Sequence, residues 1–145
     1  MHPMKQPANL EERYRTLVIL WFALFVSIVM FLFLAVFVAP ETERPNSLMT
    51  LTFMAVGMAM VVVSYIVKQK FLAQSVEKQE VVLVQTGTII SAALNEVAAM
   101  LGLMDRFITG TRNFYALFIF AVIGALLNFP RRDHLLAAGY KKPLS

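Results

Sequence analysis

Apolar residues gather in four blocks, at positions 17–39, 48–67, 81–104 and 113–129, with polar ends at 1–16 and 130–145. The first block makes about 34 Å of helix at about 1.5 Å per residue. That clears a hydrocarbon core of about 30 Å. It is too long for the apolar core of a cleaved signal peptide, about 7–15 residues. The nearest small-residue site, Val38-Ala39, is followed by Pro40, which suits a helix stop better than a cleavage point. The other three blocks also read as spans, the fourth being the shortest.

Local signals place the helix ends. Asn9 and Glu12 have capping-box spacing, which predicts a helix from about Leu10 that runs into the first span. Segment 40–47, PETERPNS, is a polar turn in which Asn46 or Ser47 can cap the second helix. So short a connection predicts that spans one and two form an antiparallel hairpin. Segment 68–80 lacks Pro and Gly, so the second helix is expected to continue beyond the membrane. Gly110 is a turn residue, and Pro130-Arg131-Arg132 ends the fourth span. The tail segment HLLAAGY suits the membrane surface. No proline falls inside a span, which argues against discontinuous helices. The expected fold is one all-α integral membrane domain over 1–145, a four-transmembrane-helix bundle of two antiparallel hairpins.

Composition agrees. Hydrophobic residues make up 59% of the 145 residues, and the mean hydropathy is +0.68. Ordinary soluble domains hold about 45–50% apolar residues. The absence of cysteine excludes disulfides, thiolate metal sites and a cysteine nucleophile. The net charge of +4 flanks apolar spans rather than forming a stripe, so no nucleic-acid partner is expected. Lys5, Arg13, Arg15, Lys68, Lys70, Lys78, Arg131, Arg132, Lys141 and Lys142 fall on one side of the alternating spans. Arg44, Arg106 and Arg112 fall on the other. The bias predicts both termini in the cytoplasm. Compact loops and the lack of glycosylation sequons point to a bacterial inner membrane. Tyr14, Trp21, Tyr65 and Tyr115 fit an interfacial aromatic belt. The paired basic residues of the tail are expected to face anionic headgroups.

The third block, VVLVQTGTIISAALNEVAAMLGLM, differs from the rest. It carries Gln85, Thr86, Gly87, Thr88, Ser91, Asn95 and Glu96, and Glu96 is the one ionisable residue within the four blocks. At 100° per residue, Gly87, Ala98, Ser91, Gly102 and Asn95 share one flank, continued by Thr88, Ala99, Ala92, Gln85 and Glu96. The opposite half holds Ile90, Val97, Leu101, Leu94 and Met104. Small faces pack on helices, and bulky faces meet lipid. Gly87 and Gly102, with Ala55, Gly57 and Ala59 of the second span, are therefore the candidate packing residues. An ionisable group inside a membrane is costly and marks a candidate site. Glu96 has no cationic partner within the spans, so a neutral carboxyl bonded to Ser64, Asn95 or Asn128 is one expectation. A bound proton or monovalent cation, with Asn95, Ser91 and Gln85 lining the route, is the other.

Residues Ala93-Leu94-Asn95-Glu96-Val97-Ala98-Ala99-Met100-Leu101-Gly102-Leu103 resemble the carboxylate helix of rotary ATPase c-type (proteolipid) subunits. The resemblance implies that Glu96 binds the translocated ion and that Gly102 serves packing. The chain departs from that family in its second span, which has one glycine where the family's partner helix is glycine-rich. In four-span members the carboxylate usually sits on a hairpin's second helix, whereas Glu96 lies on span three.

No nucleophile–base set, phosphate loop or paired intramembrane carboxylates point to an enzyme, and neither a cofactor nor a metal is expected. His2 and His134 form no cluster, and the nine methionines are apolar filler. Asp105, Arg106 and Arg112, with Glu41 and Glu43 nearby in the topology, are expected to form a solvated loop salt bridge. The leading expectation is a non-catalytic structural or accessory bundle subunit, a homo-oligomer or part of a larger membrane complex. The alternative is a proton- or cation-binding membrane protein acting through Glu96.

Overall fold

The computed structural model describes residues 6–40 and 46–139, with side chains from residue 10 onward. His2, Lys5, the Asn9 side chain, Glu41, Glu43, Arg44, Lys141 and Lys142 lie outside the described residues. The described chain is helical: α1 (Gln6–Phe37), α2 (Ser47–Lys78), α3 (Val81–Thr109), α4 (Phe114–Leu127) and α5 (Arg132–Gly139).

Capping chemistry explains most boundaries. α1 starts four residues earlier than Leu10, because Pro7 falls in the first turn, where its missing N–H costs nothing. The Asn46 side chain accepts from the Met49 N–H at 3.2 Å and caps α2. α2 does run past its apolar block, to Lys78. Gln79 then takes a left-handed conformation (φ 53°), its N–H bonding to the Ser75 carbonyl. α3 extends five residues past 104, until Gly110 (φ 66°) closes it by bonding to the Arg106 carbonyl. Beyond α4, Pro130 breaks the chain, and α5 leaves at 44°.

α1, α2 and α3 are each long and apolar enough to cross a membrane. α4, at 14 residues, is about 21 Å long and falls short by itself. Together α4 and α5 form a bent pair that counts as a fourth span only if taken as one.

The helices alternate in direction. Partners of α1 on α3 keep a nearly constant offset (Arg13–Gln85, Ser27–Glu96, Ala35–Arg106), so these two run parallel. Partners of α2 on α3 run in opposite order (Thr50–Asp105, Ser64–Asn95), so this pair is antiparallel. α1 and α2 do not pack on each other, which corrects the first expected hairpin: α3 touches both. The connection from Phe37 to Ser47 is long enough to cross from one to the other, at about 3.3–3.6 Å per extended residue. α3 is the central mast. In its most apolar stretch 44% of residues are buried, against 11% in α1 and 17% in α2.

Two periodicities hold the mast. Val84, Thr88, Ser91, Asn95, Ala98, Gly102, Asp105 and Thr109 are all buried and follow each other by alternating steps of four and three. On α2, Thr50, Gly57 and Ser64 are buried at steps of seven, continued by Lys68 and Ser75. Sevenfold spacing is that of left-handed coiled-coil packing. In lipid, where apolar burial drives little association, small side chains contribute by letting backbones approach. A second contact layer joins Ile28 and Ala35 of α1, Ala98 and Ala99 of α3, and Phe114, Phe118, Ala121 and Ala125 of α4. At the other end Leu135 and Ala138 of α5 dock on Leu17 and Val84. The tail segment thus buries Leu135 and Ala138 against the bundle and leaves Leu136 exposed.

Candidate functional site

α3 carries a ladder of polar groups, and each rung reaches a different neighbour. The middle rung is Asn95, fully buried halfway along the helix. Ser64 Oγ of α2 lies 3.1 Å from Asn95 Oδ1 and donates to it or to the Val61 carbonyl at 2.7 Å. Asn128 Nδ2, just past α4, donates to the same Ser64 oxygen at 3.1 Å. Asn95 Nδ2 and Asn128 Oδ1 are buried with no hydrogen-bond partner among the described residues. Gly124 makes room for this rung. A Cβ there would collide with Asn95 Oδ1 and stand 2.9 Å from Val61 Cγ1.

The next residue, Glu96, points elsewhere, as 100° of helical rotation requires. Its carboxylate accepts a short hydrogen bond from Ser27 Oγ of α1, and both residues are half-buried. Gln85 Oε1 sits 3.4 Å from Arg13 Nη1, far toward the start of α3. Ser91 Oγ turns back to the Thr88 carbonyl at 2.9 Å. The structure therefore does not bring Glu96, Asn95, Ser91 and Gln85 together on one route. Glu96 bonds neither Ser64, Asn95 nor Asn128 among the described residues; Ser64 instead links Asn95 and Asn128.

The last rung is Asp105, fully buried. Its carboxylate accepts from Thr50 Oγ1 at 3.0 Å and Thr111 Oγ1 at 3.3 Å, and Thr109 Oγ1 donates to it at 3.0 Å or to the Asp105 main-chain carbonyl at 2.8 Å. The expected salt bridge at this turn is thereby corrected. Arg106 reaches the carbonyls of Ala35 and Gly110 and lies 5.5 Å over the Phe114 ring, while Arg112 is exposed. The reason is direction: Asp105 lies on the buried stripe, one helical step away from Arg106. An ion pair does join exposed Arg132 and Glu11 at 3.1 Å, where solvent leaves it little value.

α4 ends inside the protein, so its last carbonyls need donors. Trp21 Nε1 donates to the Ala125 carbonyl at 2.9 Å, and Lys68 Nζ to the Phe129 carbonyl at 3.1 Å. Trp21 also stacks on Phe25 and meets Phe129 edge-on. It is an internal clamp, whereas Tyr65 and Tyr115 are exposed. Lys68 directly follows the second apolar block and is buried. Burial, and then the nearby Arg131 charge, pushes its ammonium down to about 8.

The candidate packing glycines face the chain's own side chains. Gly87 abuts Phe71, Gly57 abuts Leu117, and Gly102 abuts Leu117 and Phe118. Ala55 and Ala59 are exposed on the outer side of α2. Ile90, Val97 and Met104 of the bulky α3 half are exposed as well. Ser27, Thr50, Thr109 and Thr111 were not singled out by sequence reasoning. Each looks like an ordinary membrane or loop hydroxyl until its partner is in place. Among the described residues no group of three or more His, Asp or Glu could hold a metal ion. No protein-family model, curated protein or solved structure matches the chain.

Proposed function

We propose that this chain is a non-catalytic bundle subunit of a bacterial inner membrane, crossing it four times with both termini in the cytoplasm. The observation that carries this reading is the division of α3's polar groups among its neighbours: Glu96 to Ser27 on α1, Asn95 to Ser64 on α2, Asp105 to Thr50 on α2. Groups spent one by one on helix–helix bonds serve as glue, each adding about 0.6 kcal/mol on average in a bilayer. The exposed Ala55 and Ala59 offer a surface on which a second copy or another subunit can approach closely. On this reading Glu96→Gln keeps assembly and stability, because an amide oxygen still accepts from Ser27. Loss of the oligomer in Glu96→Gln, measured by sedimentation in detergent, would refute it.

A second reading, proton or monovalent-cation binding at Glu96, draws on its half-buried position and on the resemblance to c-type subunits. It predicts that a hydrophobic carbodiimide labels Glu96 and that low pH or a cation changes the labelling. Labelling indifferent to both counts against ion handling.

A further inference from the structure

We propose that the Asp105–threonine cluster, where α2 begins and α3 ends, binds a sodium-sized alkali cation. Four oxygen sources meet there: the Asp105 carboxylate and the hydroxyls of Thr50, Thr109 and Thr111. Thr50 lies 3.0, 3.3 and 3.5 Å from Asp105, Thr109 and Thr111. Thr109 lies 3.0 Å from Asp105 and 3.1 Å from Thr111, and Thr111 lies 3.3 Å from Asp105. All are hard donors of the kind alkali and alkaline-earth ions prefer.

Two further observations point to a ligand. First, Asp105 is fully buried, and none of its partners among the described residues is cationic. A lone buried carboxylate carries a desolvation cost of about several kcal/mol, which hydroxyl dipoles offset only in part and a bound cation offsets directly. Second, a cavity of about 340 Å³ lies against the cluster, lined by Ser47, Thr50, Leu51, Met54, Thr111 and Asn113. Thr50 and Thr111 belong to both. The cavity gives an ion a way in and space for its remaining waters.

Size and charge select the ion. Hard cations of this size sit about 2.3–2.6 Å from oxygen, so with oxygens about 3.2 Å apart the ion rides about 1.5 Å above a triangle of three of them. The cavity meets the cluster on the Thr50 and Thr111 side, with Asp105 and Thr109 behind them. One carboxylate balances one positive charge. A divalent ion would keep an unbalanced charge in a largely buried setting, and sites for divalent ions use several carboxylates.

The test is thermal unfolding of the purified full chain, followed by Trp21 fluorescence, with sodium chloride replacing choline chloride at fixed ionic strength. Binding to the folded state alone raises the midpoint with ion concentration. The expected result is a sodium-dependent rise, smaller with potassium and lost in Asp105→Asn. Thr111→Val, at a half-buried position, is the second variant should Asp105→Asn fail to fold; it too should weaken the response. A midpoint that is the same in sodium, lithium, potassium and choline overturns the proposal. So does a sodium response that persists undiminished in whichever variants fold. An infrared band of a neutral Asp105 carboxyl that sodium does not diminish overturns it independently.

Discussion

Gly124→Ala is a one-methyl test of how the bundle centre is built. The new Cβ would overlap Asn95 Oδ1 and stand 2.9 Å from Val61 Cγ1. Val61 can yield by a small shift, but Asn95 is fully buried on the central helix and must turn away. It then gives up its bond to Ser64 and leaves an amide oxygen without a donor. Overpacking costs about 1–3 kcal/mol. The lost interhelical bond adds about 0.6 kcal/mol. Against this, alanine gains up to about 1 kcal/mol of helix propensity over glycine. The net expectation is a loss of about 1–3 kcal/mol, the sum of those terms. The assay is reversible unfolding in mixed micelles, read through Trp21, whose indole bonds to the Ala125 carbonyl one residue from the substitution. A double-mutant cycle sharpens it. Asn95→Ala removes the atom that the methyl strikes, so the double variant should be less destabilised than the sum of the two single variants by at least about 1 kcal/mol. Additive effects, or a Gly124→Ala protein as stable as the parent, would show that Asn95 does not occupy the position described.

Two more outcomes follow from the end of the bundle where α5 docks. Leu135 is 1% exposed between Leu17, Val84 and Ala138, so Leu135→Ala should cost about 2–4 kcal/mol through the cavity it leaves. Undocking of α5 should speed tryptic cleavage after Arg131 and Arg132; an unchanged cleavage rate would mean that α5 is not held by this contact. Lys68 has a folded-state value of about 8 against 10.5 in the unfolded chain. Between those two values the unfolded chain binds more protons, so stability should rise with pH across that window and level off above it. Below about 8 both states are charged and the burial cost is fully present. Unfolding midpoints at pH 7.5, 9 and 10.5 check this, and an equally steep rise in Lys68→Met would assign it to another group.

The apolar blocks alone were enough to place α1, α2 and α3, because a spanning helix must be continuous and apolar whatever surrounds it. Asn46 and Gly110 marked their own turns for a similar reason: cap and left-handed chemistry is local. The small and bulky halves of α3 were likewise legible, since they follow from 100° of rotation per residue. The length of α4 was less so. Its sequence runs apolar to Phe129, but Pro130 and the donors Trp21 and Lys68 bring the helix to an end inside the protein.

Partnership was the part that only tertiary structure decided. Asn95 and Glu96 are adjacent in sequence, yet one bonds to α2 and the other to α1, because each side chain follows its own direction from the helix axis. Asp105 looked like half of a loop salt bridge until α2 brought Thr50 to it across 55 positions of sequence. The sequence by itself determined which segments are helical and apolar, since both properties are set within a few residues. Which helices touch, and which hydroxyl meets each carboxylate, depended on α3 standing between α1 and α2, an arrangement encoded in the fit of small residues across helices and in no single segment.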